Sequence, residues 1–564
     1  MIIPASFRTL VETLDVAPPD RLFLLEWHDE KDQIAATFGD FRRQSWKYAA
    51  FLKHQGVQCG DRVVFVMPQG IALMAAFMGS MMLGALPAIL AYPNHKVDSV
   101  KYSSGLRGVS DNLKAPYILV DENFPEELTS DLSTSITTKI VRCPGSTRSI
   151  GDLDPSHLST HPQGLAFIQH SAGTTGLQKG VALSHAAVLT QLGHLAEALE
   201  LNADDRLYSW LPLYHDMGLI ACFMLPMVCH LPIFMQSPTE WVRRPETMLR
   251  LIHEHKCTLA WLPNFAFQFL SRRTAEEIRS RLDLASVRAL INCSEPVKTQ
   301  SMDEFYEAFA PCGLKRSTLQ SSYAMAENTF AVTQSGPNGP LQLYAEERHF
   351  RTKHSIRVVP PGTEGSISFT SSGRLLPQNQ VRIITGSGET LPSLRVGEIL
   401  IKSDSLFEGY FNRPDLTAQA MIDGWYRTGD LGFCYKNELF VVGRKKDLLI
   451  IGGENIYPQD VEEIVSTHPA VHDGRAVALG LFNFGLGTED LVVVAEVDRP
   501  ELLTEKTRIE REIRASVLAQ LGVAIRLLFL KPRKWIVKST AGKPARSSTR
   551  EKLLKEHPEL RSGR

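Results

Sequence analysis

Apolar and polar positions repeat along this chain with two periods, and the switch between them marks most of its elements. Val63–Met67 is an unbroken apolar run, Ile71–Leu83 a Met- and Ala-rich stretch of helical length, and Ala85–Leu90 a second short run. Short apolar runs bounded by Pro and Gly predict buried strands, and the longer one between them a helix. Together they make a strand–helix–strand unit of a parallel sheet, covered on both faces. Residues 63–94 carry no charge, a length that would span a bilayer. Pro68, Gln69, Gly70, Gly79, Ser80, Gly84 and Pro87 punctuate it, so no transmembrane segment is predicted. The similar run Met217–Pro238, broken by Pro226, His230 and Pro232, is read the same way.

Further strands are predicted at Leu165–Gln169, Arg206–Leu211, Cys257–Leu262, Val287–Asn292 and Thr318–Ser322, separated by helical stretches. That alternation indicates a large α/β region. Ser184 is placed to cap a helix carrying Val188, Leu192, Leu195 and Leu199. Residues 121–163 turn polar and rich in Ser, Thr, Pro and Asp, as a loop-rich connection would. Near the end, Phe440–Val442 and Leu448–Ile451 flank Gly443–Asp447 as a predicted strand pair. Pro458 opens a helix carrying Val461, Ile464 and Val465, proline being well placed in a first turn. Two strands follow, Ala476–Leu481 and Leu491–Val497, and then a helix with Ile509, Ile513, Val517 and Leu521 that ends near Gly522. The expected division is therefore 1–443 and 444–564, the second a small α+β domain.

Composition narrows the class. At 564 residues the chain is too long for one small core. A formal net charge of −1 gives no argument for nucleic acid or an acidic membrane as partner. The eight cysteines are scattered and form no C-x-x-C pair, so a reducing compartment is expected and neither a zinc site nor a disulfide framework. The first residues, Met-Ile-Ile-Pro-Ala-Ser-Phe-Arg, lack a signal-peptide layout. A cytoplasmic location follows.

Gln169–Gly180, Gln-His-Ser-Ala-Gly-Thr-Thr-Gly-Leu-Gln-Lys-Gly, holds three glycines, three hydroxyl residues and a lysine between two apolar runs. Glycine lets backbone N–H groups approach phosphate oxygens closely. A Walker A loop needs Gly-Lys-Ser/Thr followed at once by a helix; here Lys179 precedes Gly180 and the apolar run Val181–Leu183. A strand–loop–strand phosphate binder fits better, with a flexible surface loop as the bland alternative.

Four more segments join this loop: Trp210-Leu-Pro-Leu-Tyr-His215-Asp-Met-Gly-Leu-Ile220; Ser322-Tyr323-Ala-Met-Ala-Glu327; Tyr426-Arg-Thr-Gly-Asp430 with Gly443–Asp447 behind it; and Ser539-Thr-Ala-Gly-Lys543-Pro-Ala-Arg546. In residue type, order and spacing the five resemble the adenylate-forming superfamily of acyl-CoA synthetases, luciferases, non-ribosomal-peptide adenylation domains and fatty acyl-AMP ligases. The resemblance runs from about residue 20 to about residue 555. It implies an α/β fold: a large N-terminal adenylation domain of two α/β subdomains and a β-rich one, with a small mobile α+β C-terminal domain. It also implies attack of a carboxylate on the α-phosphate of ATP. Two anions must then be brought together, which calls for fixed donors, a lysine and a divalent cation.

The resemblance assigns roles residue by residue. Ser171, Thr174, Thr175 and Lys179, with Gly173 and Gly176, would hold the β- and γ-phosphates. Glu327, with Thr175, would ligate Mg2+. Tyr323 and Met325 would lie beside the nucleotide, with Ser294 and Glu295 in the adenine strip. Asp430 would accept from both ribose hydroxyls and Arg444 support the ribose. Lys543 would bridge the substrate carboxylate and the α-phosphate. His215 would gate the acyl tunnel, and Lys446 matches the hinge about which the C-terminal domain swings between the two half-reactions. Taken singly, Glu327 reads equally as a helix-start carboxylate, Asp430 as a turn residue, His215 as a core histidine, and Lys543 as part of a basic stretch, 531–550, with seven cations and no acid.

Several segments resemble the fatty acyl-AMP ligase branch: Ser237-Pro-Thr-Glu-Trp-Val-Arg-Arg-Pro, Pro263-Asn-Phe-Ala, Asn292-Cys-Ser-Glu-Pro, Gly452-Gly-Glu-Asn-Ile-Tyr-Pro-Gln-Asp460 and Gly487-Thr-Glu-Asp. Glu327 precedes Gly373 by 46 residues, longer than is usual in CoA ligases. The surplus around Tyr344–Thr370 resembles the insertion that restrains the swing needed for CoA. The implied substrates are a fatty acid and ATP, and the implied acceptor is the phosphopantetheine arm of an acyl carrier protein. An acyl-CoA synthetase remains the alternative, as does a silent binding member of the fold, against which Lys543, Glu327 and Asp430 argue. Gln178, Ala324 and Cys293 depart from the usual proline and two glycines, and Gly-Lys-Pro-Ala-Arg from the usual end motif. None removes a charge from the chemistry. The bulk of Ala324 and Cys293 leaves chain length open.

Overall fold

A computed structural model describes residues 7–30, 32–93, 99–132, 138–144, 164–170, 179–451, 454–483, 488–538 and 544–562. Its spine is a 14-stranded mixed sheet. Six strands at its centre run parallel: Leu22–Trp27, Ile233–Gln236, Leu207–Ser209, Leu259–Leu262, Ala289–Asn292 and Leu319–Ala324. Most are four residues or fewer and wholly buried, because helices and loops cover both faces. Beyond Leu319–Ala324 the pairing turns antiparallel, through Ala331–Gln334, Arg374–Leu375, Glu438–Arg444, Trp425–Tyr435, Gly397–Lys402 and Gln380–Ile384.

The crossover unit predicted from the uncharged stretch is present. Arg62–Val66 and Leu86–Ile89 pair in parallel, with helix Ile71–Met82 between them, and the sheet extends to Tyr117–Asp121 and Lys139–Cys143. Gly79 lets that helix press onto another, Phe38–His54: a Cβ there would lie 2.6 Å from the Ser45 carbonyl oxygen. Among the described residues no helix is long and apolar enough to cross a membrane. The Met217–Pro238 run is instead a buried π-helix, Met217–Met224, a short helix and the strand Ile233–Gln236.

Two expectations are corrected. Residues 121–163 are not all loop: helix Glu126–Leu132 and strand Lys139–Cys143 lie within them, because Val141 and Cys143 bury against the sheet core. Phe440–Val442 and Leu448–Ile451 do not pair with each other. Glu438–Arg444 folds back on Trp425–Tyr435 through Lys436 and Asn437, both at positive φ (49° and 62°), the backbone of a two-residue hairpin turn. Lys445–Asp447 is a 3-10 turn, and Leu449–Ile451 pairs with Glu454–Ile456.

The last part of the chain builds its own core. Val471–Asn483, Thr488–Val497 and Ile525–Lys531 form a three-stranded sheet, covered by helices Pro458–Ser466 and Lys506–Leu521. Val461, Val465, Ile509, Ile513 and Val517 are buried there at helical spacing. Gly522 ends the second helix in the left-handed conformation at φ 68°.

Candidate active site

In open α/β sheets, ligands bind beyond the carboxyl ends of parallel strands. Here those ends deliver Trp210 after Leu207–Ser209, Asn264 after Leu259–Leu262, Ser294 and Glu295 after Ala289–Asn292, and Tyr323 at the end of Leu319–Ala324. Ser294 sits at φ 68°, a left-handed backbone that a non-glycine residue adopts only under constraint. Its hydroxyl lies 3.8 Å from Met217 Sδ. Glu295 Oε2 accepts from the Phe265 backbone N–H at 3.0 Å, at the start of helix Asn264–Arg273. Asn264 ties the strand ends together: its Oδ1 accepts from Asn292 Nδ2 at 2.9 Å and from the Lys298 N–H at 3.1 Å.

The Trp425–Tyr435/Glu438–Arg444 hairpin sets Asp430 opposite Arg444 in register. The Tyr323 hydroxyl donates to Asp430 Oδ2 at 2.5 Å, and Arg444 Nε lies 3.3 Å from Oδ1. Burial raises the Asp430 carboxyl above its ordinary value, against the opposing pull of Arg444. Burial, reinforced by the Asp430 charge, pushes the Tyr323 phenol well up, so it stays a donor at neutral pH. A carboxylate fixed between a phenol and a guanidinium is a two-oxygen acceptor, the shape a vicinal diol requires.

Beside it lies a second set. Tyr410 donates its hydroxyl to Glu327 Oε1 at 2.7 Å, and the Tyr426 hydroxyl is 3.3 Å from that of Tyr410. The Lys179 ammonium sits over the Tyr410 ring, 4.4 Å from its centroid. Gly409–Tyr410 reaches this position by pairing with Gly180–Ser184, the strand that follows the glycine-rich stretch in sequence. Glu327 itself lies on the 3-10 turn Ala326–Asn328, and Met325 before it donates its N–H to the Phe330 carbonyl at 2.9 Å. Among the described residues no cluster of three His, Cys, Asp or Glu side chains could hold a metal alone. A single carboxylate fits a cation that takes its remaining ligands from phosphate and water.

His215 Nδ1 lies 2.6 Å from Asp216 Oδ1, and Asp216 also accepts from the Met217 N–H at 2.7 Å. Sequence reasoning missed Tyr410 and the part played by Asp216. Tyr410 sits on a strand of two residues, too short for any periodicity to flag, whereas Asp216 adjoined a residue already singled out. Ser171, Gly173, Thr174, Thr175, Gly176 and Lys543 lie outside the described residues. His170, just before the loop, is buried, and burial pushes its pKa down to about 4, so it is neutral.

The surplus segment is an ordered element. Gln342–Glu346 and Ser366–Thr370 pair antiparallel, with helix Glu347–Lys353 between them. On one side the Thr370 hydroxyl meets that of Thr299 at 2.6 Å. On the other, Phe350 stacks on Tyr457 at 5.6 Å, and Arg351 lies 3.5 Å from Asp460. Lys298 completes the junction, 2.6 Å from Glu463 and 3.8 Å from Asp460. Burial opposes the Lys298 charge, but Asp460 and Glu463 outweigh it and raise its pKa. Three cations of the basic stretch are paired: Lys531 with Glu556, Arg533 with Asp498, and Arg546 with Asp447 and Glu462.

Residues 12–411 match the AMP-binding enzyme family. The medium-chain-fatty-acid–[acyl-carrier-protein] ligase JamA of Moorena producens is 30% identical over 550 residues, covering 93% of this chain and 91% of its own. A fatty acyl-adenylate ligase from L. pneumophila, solved with acyl adenylate and pyrophosphate, is 26% identical at a TM-score of 0.74, over 97% of this chain and 96% of that one. A structure from a study of fatty acyl-adenylate ligases of E. coli and L. pneumophila superposes at a TM-score of 0.90 with 24% identity, over 98% and 99% of the two chains, and shares the fold.

Proposed function

Because this chain belongs to the AMP-binding enzyme family, we propose that it activates a fatty acid with ATP and passes the acyl group to the phosphopantetheine thiol of an acyl carrier protein. In the first half-reaction a carboxylate oxygen attacks the α-phosphate; the acyl–O–P bond forms and pyrophosphate leaves. In the second the thiol sulfur attacks the acyl carbonyl, the C–S bond forms, AMP departs and the thiol proton is lost to solvent. The observation that carries the reading is the pair of adjoining sets: Tyr323–Asp430–Arg444, suited to a ribose, and Lys179–Tyr410–Glu327, suited to phosphates. The names of JamA and of the acyl-adenylate complex support the same substrate class.

In this reading Asp430 holds the ribose hydroxyls and Arg444 backs them. Ser294, Glu295, Tyr323 and Met325 flank the base. Lys179, with Ser171, Gly173, Thr174, Thr175 and Gly176, holds the terminal phosphates, and Glu327 with Thr175 would hold Mg2+, which neutralises phosphate charge when bound. His215 gates the acyl channel. Lys543 arrives on a mobile unit, 444–564, that turns at Lys446 against the body, 1–443. Eight unbridged cysteines support a cytoplasmic setting.

The acceptor choice rests on the element 342–370, whose contacts with Tyr457 and Asp460 support restraint of the moving unit. The test supplies ATP, Mg2+, a fatty acid and either CoA or a holo-carrier protein. Pyrophosphate release with acyl-carrier formation is expected; efficient acyl-CoA formation would overturn the acceptor, and no fatty-acid-dependent pyrophosphate would overturn the activity.

A further inference from the structure

Phe265 and Val242 are large apolar side chains left 45% and 59% exposed. They cap an aromatic stack: the Trp210 and Trp241 rings lie parallel at 3.9 Å, and Phe265 meets both edge-on at 6.3 and 6.0 Å. Trp210 heads the segment that leads to His215, and the Phe265 N–H is held by Glu295. The exposed face is thus rigidly joined to the edge of the candidate site.

Helix Asn264–Arg273 extends the face at i, i+4 and i+8 through Phe265, Phe269 and Arg273. The Arg273 guanidinium lies 5.4 Å over Phe269, and among the described residues no carboxylate pairs with it. On helix Pro238–Arg243, Val242 and Arg243 follow Trp241 directly. Arg243 and Arg244 share one carboxylate, Glu240, at 2.9 and 3.5 Å. Arg272 is paired on the surface, with Glu304 at 3.4 Å and Asp473 at 2.9 Å. Counted with their partners, the four arginines face three carboxylates, Glu240, Glu304 and Asp473, which leaves Arg273 as the excess cation. Aromatic and arginine side chains around an apolar centre are the composition of a protein interface, and the net charge selects an acidic partner.

We propose that this face docks the acidic carrier protein that presents the phosphopantetheine thiol. The inference rests on the acceptor reading above and adds the place of docking to it. Apolar contact at Val242 and Phe265 supplies the centre, and Arg243 and Arg273 meet carboxylates at the rim.

The test uses the full chain with Val242→Glu, Arg243→Glu and Arg273→Glu, singly and together, and a panel of acidic holo-carrier proteins. Fatty-acid-dependent pyrophosphate release and acyl transfer to free pantetheine stay at the wild-type level. KM for the carrier rises about tenfold or more in the combined variant, and added salt raises it in the wild type but not for pantetheine. Arg273→Lys retains most of the affinity. An unchanged carrier KM in the combined variant overturns the docking face while leaving the acceptor reading intact. A wild type that forms adenylate yet loads no carrier overturns the acceptor reading and the face with it. Self-association abolished by Val242→Glu, with carrier KM unchanged, assigns the face to a second copy.

Discussion

The hydroxyl of Tyr410 donates to Glu327 Oε1 at 2.7 Å while its ring carries the Lys179 ammonium at 4.4 Å. One side chain thereby spaces a cation and a carboxylate that would otherwise collapse into an ion pair. Held apart, each charge would act on phosphate in the proposed reading: the lysine directly, and the carboxylate through a divalent cation. The Tyr410 phenol is raised by burial and by the Glu327 charge, so it remains a donor throughout the neutral range.

Tyr410→Phe keeps the ring under Lys179 and deletes the donor to Glu327. A hydrogen bond to a charged group contributes about 1.5–3 kcal/mol, so fatty-acid-dependent pyrophosphate release should fall roughly tenfold or more. The Mg2+ concentration for half-maximal rate should rise. Tyr410→Ala removes both contacts and should lose more. Equal activity of the Phe variant and the wild type across a Mg2+ titration would remove Tyr410 from the site.

Asp430 gives a pH dependence with a definite sign. Burial raises its carboxyl above the ordinary value of about 4, so protonation sets in at a higher pH than for an exposed aspartate. The neutral acid cannot accept from two hydroxyls at once, and KM for ATP should climb as pH falls through that raised value. Asp430→Asn should show a high KM at every pH and no acid limb. Stability runs the other way: a folded-state pKa above the unfolded one contributes stability that is present at low pH and lost as pH rises through the folded value. The Asn variant, a mimic of the protonated form, should therefore melt no lower than wild type at neutral pH. A wild-type KM that stays flat until the pH falls below the ordinary aspartate value of about 4 would contradict the assignment.

The elements that carried the fold were those with strong local patterns. Val63–Met67, Ile71–Leu83 and Ala85–Leu90 were legible because a doubly covered parallel sheet writes itself as unbroken apolar runs. Ser184 was legible because its side chain caps the helix His185–Ala198, accepting from the Ala187 N–H at 3.3 Å. The hairpin at Lys436-Asn437 was missed because neither residue is the glycine that usually signals two positive φ angles. Asp430, Arg444 and Glu327, which the fold brings into the candidate site, were singled out through motifs. The junction of Lys298, Arg351 and Asp460 left no local signal, since its members come from three distant segments and meet only after folding.

That junction supplies a further prediction. Arg351 is buried beside Asp460 at 3.5 Å and Glu347 at 2.8 Å. Removing one partner of a buried ion pair costs about 3 kcal/mol, because the other charge is left uncompensated. Burial already raises the Asp460 carboxyl, with Lys298 and Arg351 as its counterweights. Arg351→Ala should lower the melting temperature, speed amide exchange across Pro458–Ser466, and increase acyl-CoA formation relative to carrier loading. Faster exchange without any gain in CoA use would separate the stability of this junction from acceptor choice.

The chain on either side of Lys543 comes together: Lys538 bridges Pro544, and the Ala545 N–H donates to the Val537 carbonyl at 2.8 Å. Arg546, just beyond, pairs with Glu462 and Asp447 at 2.6 and 2.9 Å. The described residues that flank Lys543 are thus tied to the small unit. If the lysine meets the α-phosphate only during adenylation, Lys543→Ala should cut fatty-acid-dependent pyrophosphate release by about a hundredfold or more. ATP binding should persist, because Asp430, Tyr323 and Lys179 remain. Given synthetic acyl-AMP, the same variant should still load a holo-carrier protein at a rate near wild type if the second half-reaction uses another face of the small unit. Loss of both half-reactions to the same extent would show that the lysine supports the loop and not the first chemical step.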